Sequence, residues 1–218
     1  MKSAVIIVAG GSSKRFGSKT PKQFLMLNKK PMFMWSVEAF IELKCFKQII
    51  VVAPKNMLKS LSLKYKNIFE CVAAGKERFE SVKNGLSLVK NDINFVAIHD
   101  GARPLISKKD IELILKKAQK TKAAIAVEQT KDTIKVVSAK NKIIKTLNRA
   151  TLRNAQTPQI FETNLLKKAY LKRITKDITD DSSLIEKLNV KVSAVETKLP
   201  NFKITTKQDF LVAEKLLC

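Results

Sequence analysis

The sequence predicts an α/β protein built on a mostly parallel sheet. Its apolar residues come in short continuous runs, longer segments of helical period separate those runs, and small or charged residues gather where two of the runs end. Strands are expected at 4–8 (AVIIV), 48–53, 69–73, 94–98, 122–127 and 190–195. Continuous runs of this length suit strands covered on both faces. Helices are expected at 33–43, 55–64, 77–89, 108–120, 163–173 and 206–217. Ser107 and Thr206, each followed three residues later by an aspartate, mark the starts of the fourth and last of these helices.

Residues 130–150 break the alternation. Two β-prone runs, TIKVV and KIIKTL, flank SAKN and predict a hairpin that projects from the main sheet as a dimerisation arm. No repeat, low-complexity tract or flexible linker interrupts the chain, so one domain over residues 1–218 with an arm at about 130–150 is expected.

The formal charge of +23 would suit a nucleic-acid partner, but only six of the 42 basic residues are arginine. Readers of bases and phosphates rely on the planar arginine fork, whereas scattered lysine solvates a surface. With one Trp and two Tyr, the chain also lacks the aromatics of an RNA-binding module. The few arginines therefore mark places where a fork is needed. Three separated cysteines give neither a disulfide framework nor a zinc site. The run AVIIVA is too short for a signal sequence or a membrane span, so a cytoplasmic protein without a membrane partner is expected.

Five stretches carry chemistry. The first strand runs into VAGGSSKRFGSKTPKQ (8–23), where Lys14, Arg15, Lys19 and Lys22 stand without an acid. Small residues after a strand let backbone N–H groups approach an anion. The glycine spacing is not that of a P-loop. HDGARP (99–104) places Asp100 at the carboxyl end of a strand, where open α/β sheets bind ligands and where an aspartate can hold a divalent cation beside a triphosphate. His99, the single histidine, reads as a strand-end residue with a satisfied ring. GKERFESVKNG (75–85) opens a helix with Arg78 and Ser81 in its first turns. LNRATLRNAQTPQIF (147–161) sets Arg149, Thr157 and Gln159 around a proline turn, and FKITT (202–206) puts Lys203 before a capped helix.

In this order, together with DTIK (132–135), these stretches resemble the 2-C-methyl-D-erythritol 4-phosphate cytidylyltransferases over nearly the whole chain. The resemblance implies a Rossmann-like sheet, a Mg²⁺ requirement and a homodimer. Its implied reaction joins CTP to 2-C-methyl-D-erythritol 4-phosphate with release of pyrophosphate. By position, it assigns transition-state stabilisation to Arg15 and Lys22, and positioning of the attacking phosphate to Arg149 and Lys203. Ala9, Gly10, Gly11, Gly75, Ser81 and Asp100 would meet CTP, with Asp100 also meeting the metal. Thr133, Thr157 and Thr179 would meet the polyol phosphate, with Arg103 beside them. The arm of one subunit would lend Thr133 and Arg149 to the other. Cytidylyl transfer to D-ribitol 5-phosphate is the alternative chemistry. Ser13 in place of a usual Gly, Gly10 in place of a common Ala, and Asn148 in place of a frequent Asp depart from the family pattern.

Overall fold

All six expected apolar runs contribute strands to one sheet, and one further strand joins them from a stretch that reads as a turn. The computed structural model describes residues 1–11, 16–18, 20–172 and 178–217. In chain order the elements are β1 (Ser3–Val8), β2 (Met26–Leu27), β3 (Lys30–Pro31), α1 (Met32–Ile41), β4 (Phe46–Ala53) and α2 (Leu58–Lys64). Next come β5 (Glu70–Ala73), α3 (Arg78–Ser87), β6 (Phe95–Asp100), α4 (Lys108–Thr121), β7 (Ala123–Gln129), β8 (Lys135–Val137) and β9 (Ile143–Thr146). The chain continues with β10 (Arg153–Glu162), α5 (Thr163–Leu171), α6 (Asp181–Glu186), β11 (Ser193–Glu196) and α7 (Lys207–Leu216).

The seven-stranded sheet has the order β11-β7-β10-β6-β1-β4-β5. β6, β1, β4 and β5 pair in parallel, as do β11 and β7. The chain moves outward from β1 through β4 and β5, then returns to β6 on the other side of β1. That reversal opens a crevice at the carboxyl ends of the central strands. Both faces are covered, which is why the strands read as continuous runs. Val5 and Ile7 pack with Phe33, Phe40 and Ile114, whereas Ala4 and Ile6 pack with Val82, Leu166 and Ile185 on the opposite face. Phe33, Phe40 and Phe161 are fully buried, each stabilising the fold by about 1.5–3 kcal/mol.

β10 corrects the reading of 147–161 as a proline turn. It runs antiparallel between β6 and β7, with a cis Thr157–Pro158 peptide and a register shift between Ala155 and Gln159. A proline cannot donate to a ladder, and at an irregularity no ladder bond is required of it. The polar residues Gln156, Thr157 and Gln159 of the strand are buried because each has a partner. Gln156 Nε2 donates to Glu128 Oε2 at 3.1 Å, and Gln159 Nε2 donates to Asp180 Oδ2 at 2.7 Å. Ser182 N–H donates to Gln159 Oε1 at 3.0 Å, tying β10 to α6, which the sequence reading also lacks. Asp180 caps α6 by accepting from Ser183 N–H.

β8 and β9 form the expected hairpin as a separate two-stranded sheet. It exposes Ile134, Val137, Ile143 and Ile144. Among the described residues, no helix is long and apolar enough to cross a membrane. Cys45 and Cys71 are free thiols.

Gly10 follows β1 where the chain passes close to the end of β5. A Cβ at Gly10 would lie 2.1 Å from Ala74 Cβ. Alanine, common at this place in the family the chain resembles, therefore does not fit beside Ala74. Gly10→Ala is expected to cost about 1–3 kcal/mol, as overpacking does. Adding Ala74→Gly should recover at least half of the loss. Thermal unfolding of the single and double variants checks this, and an unchanged midpoint in Gly10→Ala would refute the coupling.

Candidate active site

A cleft of about 440 Å³ opens at the carboxyl ends of β1 and β6, lined by Gly10, Gly11, Gln23, Gly75, Arg78 and Ser81 together with Asp100 and Lys203. Four separate stretches of the chain meet there. Asp100, the last residue of β6, lies at the centre of its charges. Its Oδ2 is 2.8 Å from Lys203 Nζ and 3.8 Å from Arg103 Nε, and its Oδ1 is 3.5 Å from Arg78 Nε. Burial by itself would raise the carboxyl's pKa, but Arg78, Lys203 and Arg103 outweigh it and hold the group well below the usual carboxylate range. Burial pulls the Arg103 guanidinium down, against the attraction of Asp100, whereas Asp181 and Asp100 push Arg78 above its ordinary value despite burial.

A buried network fixes Asp100 from below. Thr157 Oγ1 accepts from Asp100 N–H at 3.0 Å and faces His99 Nδ1 at 3.2 Å, while His99 Nε2 lies 3.1 Å from the Arg103 carbonyl. A proton on Nε2, donated to the carbonyl, leaves Nδ1 to accept from the Thr157 hydroxyl, and every group is satisfied. Burial pushes His99 down to about 4. The imidazole is thus neutral near pH 7 and serves the scaffold, as the sequence suggests. Thr157, expected against the polyol phosphate, is instead 5% exposed, with its hydroxyl committed to Asp100 and His99. It lies under the site because β10 is a central strand and not a surface turn.

Lys203 is carried by a short loop pinned at two points. Asn201 Nδ2 donates to Gln156 Oε1 at 3.0 Å and to the Thr157 carbonyl at 2.8 Å, and its own carbonyl accepts from Arg103 Nη1 at 2.7 Å. Ile204 N–H then donates to the Ala102 carbonyl. Thr206 and Asp209 close the capping box of α7 just beyond. The 75–77 loop is held in a similar way. Ser81 Oγ accepts from Gly75 N–H at 3.0 Å, and Glu80 Oε2 accepts from the N–H groups of Lys76 and Glu77. Ser81 is buried.

The remaining predicted residues divide by place. Ala9 is buried beneath the cleft, its N–H bonded to the Val52 carbonyl. Lys22 lies in a 3-10 turn, Lys22–Phe24, with its side chain buried beside Gln23, which lines the cleft. Thr179 lines a smaller neighbouring cavity that shares Glu77 and Arg78 with the cleft. Arg15 and Ser13 lie outside the described residues. Arg149 and Thr133 belong to the arm. Arg149 Nη1 donates to the Lys131 carbonyl at 2.6 Å and borders a separate cavity with Thr130 and Arg153, no residue of which lines the cleft. Asn148 Oδ1 accepts from Ala150 N–H and caps the turn that carries Arg149, which is how the chain holds it without the more frequent Asp. Arg78 and Asp181 are the residues that sequence reasoning leaves unassigned. The scarcity of arginine is the signal that points to the first.

Among the described residues, no cluster of three or more His, Cys, Asp and Glu could hold a metal by itself. Asp100 offers one carboxylate. Mg²⁺ is commonly held by one or two carboxylates together with substrate phosphates and water, so the donor set fits a metal that arrives with a triphosphate.

The sequence model of the 2-C-methyl-D-erythritol 4-phosphate cytidylyltransferase family matches residues 3–218. A relative of that name from Endomicrobium trichonymphae is 64% identical over 217 residues, covering 100% of this chain and 99% of its own. Another, from Caldanaerobacter subterraneus, is 40% identical over 227 residues, covering 100% and 99%. Among solved structures, a 4-diphosphocytidyl-2C-methyl-D-erythritol synthase from Anaerococcus prevotii superposes with a TM-score of 0.85 at 28% identity, covering 99% of this chain and 98% of that one.

Proposed function

Because the chain belongs to the 2-C-methyl-D-erythritol 4-phosphate cytidylyltransferase family, we propose that its cleft joins CTP to 2-C-methyl-D-erythritol 4-phosphate in non-mevalonate isoprenoid biosynthesis. The observation that carries this reading is the convergence of Arg78, Arg103 and Lys203 on Asp100, in the wall of a glycine-lined cleft.

The chemistry needs that concentration of cations. CTP carries about four negative charges and a phosphomonoester about two near neutral pH. Two unit charges about 4 Å apart interact by roughly 4 kcal/mol at an effective dielectric near 20, so the uncompensated encounter is forbidden. Small residues at 10, 11 and 75 let the backbone approach the nucleotide. Lys22, next in the chain to the cleft-lining Gln23, and Arg15 would meet the charge that grows on the α-phosphoryl oxygens as pyrophosphate leaves. Lys203 would aim the monoester oxygen at the α-phosphorus. No general base is required, since the nucleophile is already ionised and His99 is buried in the scaffold.

Asp100 would hold Mg²⁺ jointly with the triphosphate. The metal when bound neutralises phosphate charge and polarises the phosphoryl group. Lys203, with its side chain 40% exposed, has room to shift from the carboxylate toward an incoming phosphate.

Arg149 and Thr133 lie on the arm and neither lines the cleft of its own protomer, and the arm exposes four large aliphatic side chains. A homodimer in which each arm reaches the partner's cleft accounts for both facts.

The deciding experiment offers the protein CTP and Mg²⁺ with either polyol phosphate and follows pyrophosphate release. Turnover of the methylerythritol substrate is expected. Exclusive turnover of D-ribitol 5-phosphate would reverse the substrate assignment.

A further inference from the structure

Asp181 opens α6 at 1% exposure, and both of its oxygens face specific partners. Oδ2 lies 2.7 Å from Arg78 Nη1, and Oδ1 accepts from the Tyr170 hydroxyl at 2.5 Å. Arg78 in turn reaches Asp100 and lines both the cleft and the neighbouring cavity. A chain of contacts therefore runs from α5 through α6 and α3 to the carboxylate at the centre of the site.

Stability alone is a weak reason for such an arrangement. Taking a carboxylate and a guanidinium out of water costs about as much as their attraction returns, and apolar replacements of similar volume are often neutral or better. What the arrangement does supply is orientation. An arginine at the edge of a cavity loses side-chain entropy when it binds a ligand, and a buried carboxylate that already holds the fork removes much of that cost. Arg78 has five N–H donors in a planar fork, and the charges of the two carboxylates hold it at the cleft lining with Gly75 and Ser81, on the wall expected to face the nucleotide.

We infer that Asp181 is a positioning residue for nucleotide phosphate binding, acting through Arg78, with Tyr170 fixing the carboxylate. The inference rests on the cytidylyltransferase reading of the cleft. It adds two residues, from α5 and α6, that no part of that reading assigns, and makes Arg78 a further group that touches the triphosphate.

The test is a double-mutant cycle read as separate KM values for the two substrates. Asp181→Asn keeps the shape and removes the charge. It should raise KM for CTP by about tenfold or more while leaving KM for the polyol phosphate within about twofold. Arg78→Met should raise KM for CTP at least as much. In the Arg78→Met background, Asp181→Asn should add less than about twofold, because its effect passes through the missing guanidinium. A brace that merely held α3 to α6 would raise both KM values; that result, or a full Asp181→Asn effect in the Arg78→Met background, overturns the inference. Should Asp181→Asn fail to fold, Tyr170→Phe retains both charges. It should raise KM for CTP by about two- to fivefold, and only where Arg78 is present; an unchanged KM then overturns the inference. A parent protein inert toward CTP with either polyol phosphate would count against the substrate assignment, whereas an active parent with independent mutant effects counts against Asp181 alone.

Discussion

Asp100→Asn is expected to lower kcat/KM by about a thousandfold or more, the scale on which a preorganised charged contact at the reacting centre is lost. The substitution keeps the side chain's shape, and the backbone bond from residue 100 to Thr157 survives because it uses the main-chain N–H. What disappears is the negative charge that Lys203, Arg78 and Arg103 surround. Without it, three cations that shared one counter-ion are left facing one another, and two unit charges about 4 Å apart repel by roughly 4 kcal/mol at an effective dielectric near 20. Lys203, the most exposed of the three, would turn toward solvent, and the carboxylate proposed for Mg²⁺ would be gone. Removing one partner from a buried pair also destabilises by about 3–5 kcal/mol. Steady-state kinetics well below the unfolding midpoint, alongside a melt, therefore separate the two effects. A variant within tenfold of the parent in kcat/KM would take Asp100 out of the chemistry.

Much of the sheet is legible in the sequence because parallel strands with both faces covered read as apolar runs, as residues 4–8 of β1, 49–53 of β4 and 95–98 of β6 do. β10 is not legible, for the opposite reason. Its residues Gln156, Thr157 and Gln159 are polar, and they can be buried only because Glu128, Asp180, Asn201 and Asp100 supply partners from distant parts of the chain. No local pattern records that supply. The same strand explains why QTPQ carries so much of the family resemblance: it is the frame to which the Lys203 loop, α6 and Asp100 are all attached.

The cleft divides in a similar way. Gly10, Gly11, Asp100 and Lys203 could be placed because they follow strands or precede a capped helix, positions where local sequence dictates local structure. Arg78 was marked by its rarity among the basic residues but not by its partners. Asp181 had no signal, because the short helix it opens has too few turns to show a period, and its value lies in contacts with Arg78 and Tyr170. Most lysines of the +23 chain stand outside the cleft, so net charge says little about the site. The three cations gathered on Asp100 define it.

The arm gives the second large effect. Arg149→Ala and Lys203→Ala should each depress kcat/KM for the polyol phosphate by about a hundredfold or more, since each removes one cation proposed to grip the attacking phosphate. The two losses differ in where they fall. Lys203 lines the cleft of its own protomer, whereas Arg149 sits by a cavity that shares no residue with that cleft. In a two-fold dimer with crossed arms, a mixed dimer of the two variants contains one site with both cations intact and one with neither. Random reassortment of equal amounts makes about half of the dimers mixed, so about one quarter of the sites should be whole. Two nearly inactive preparations, unfolded and refolded together, should then regain about a quarter of the parent activity, while each refolded alone regains none. Aliphatic contacts by Ile143 and Ile144, exposed on the arm, should hold these dimers. Charged replacements there should therefore lower the dimer mass in light scattering and the activity together. If the mixture stays as inactive as its components although mixed dimers form, Arg149 does not serve the partner's cleft, and the grip on the second phosphate must come from residues within one protomer.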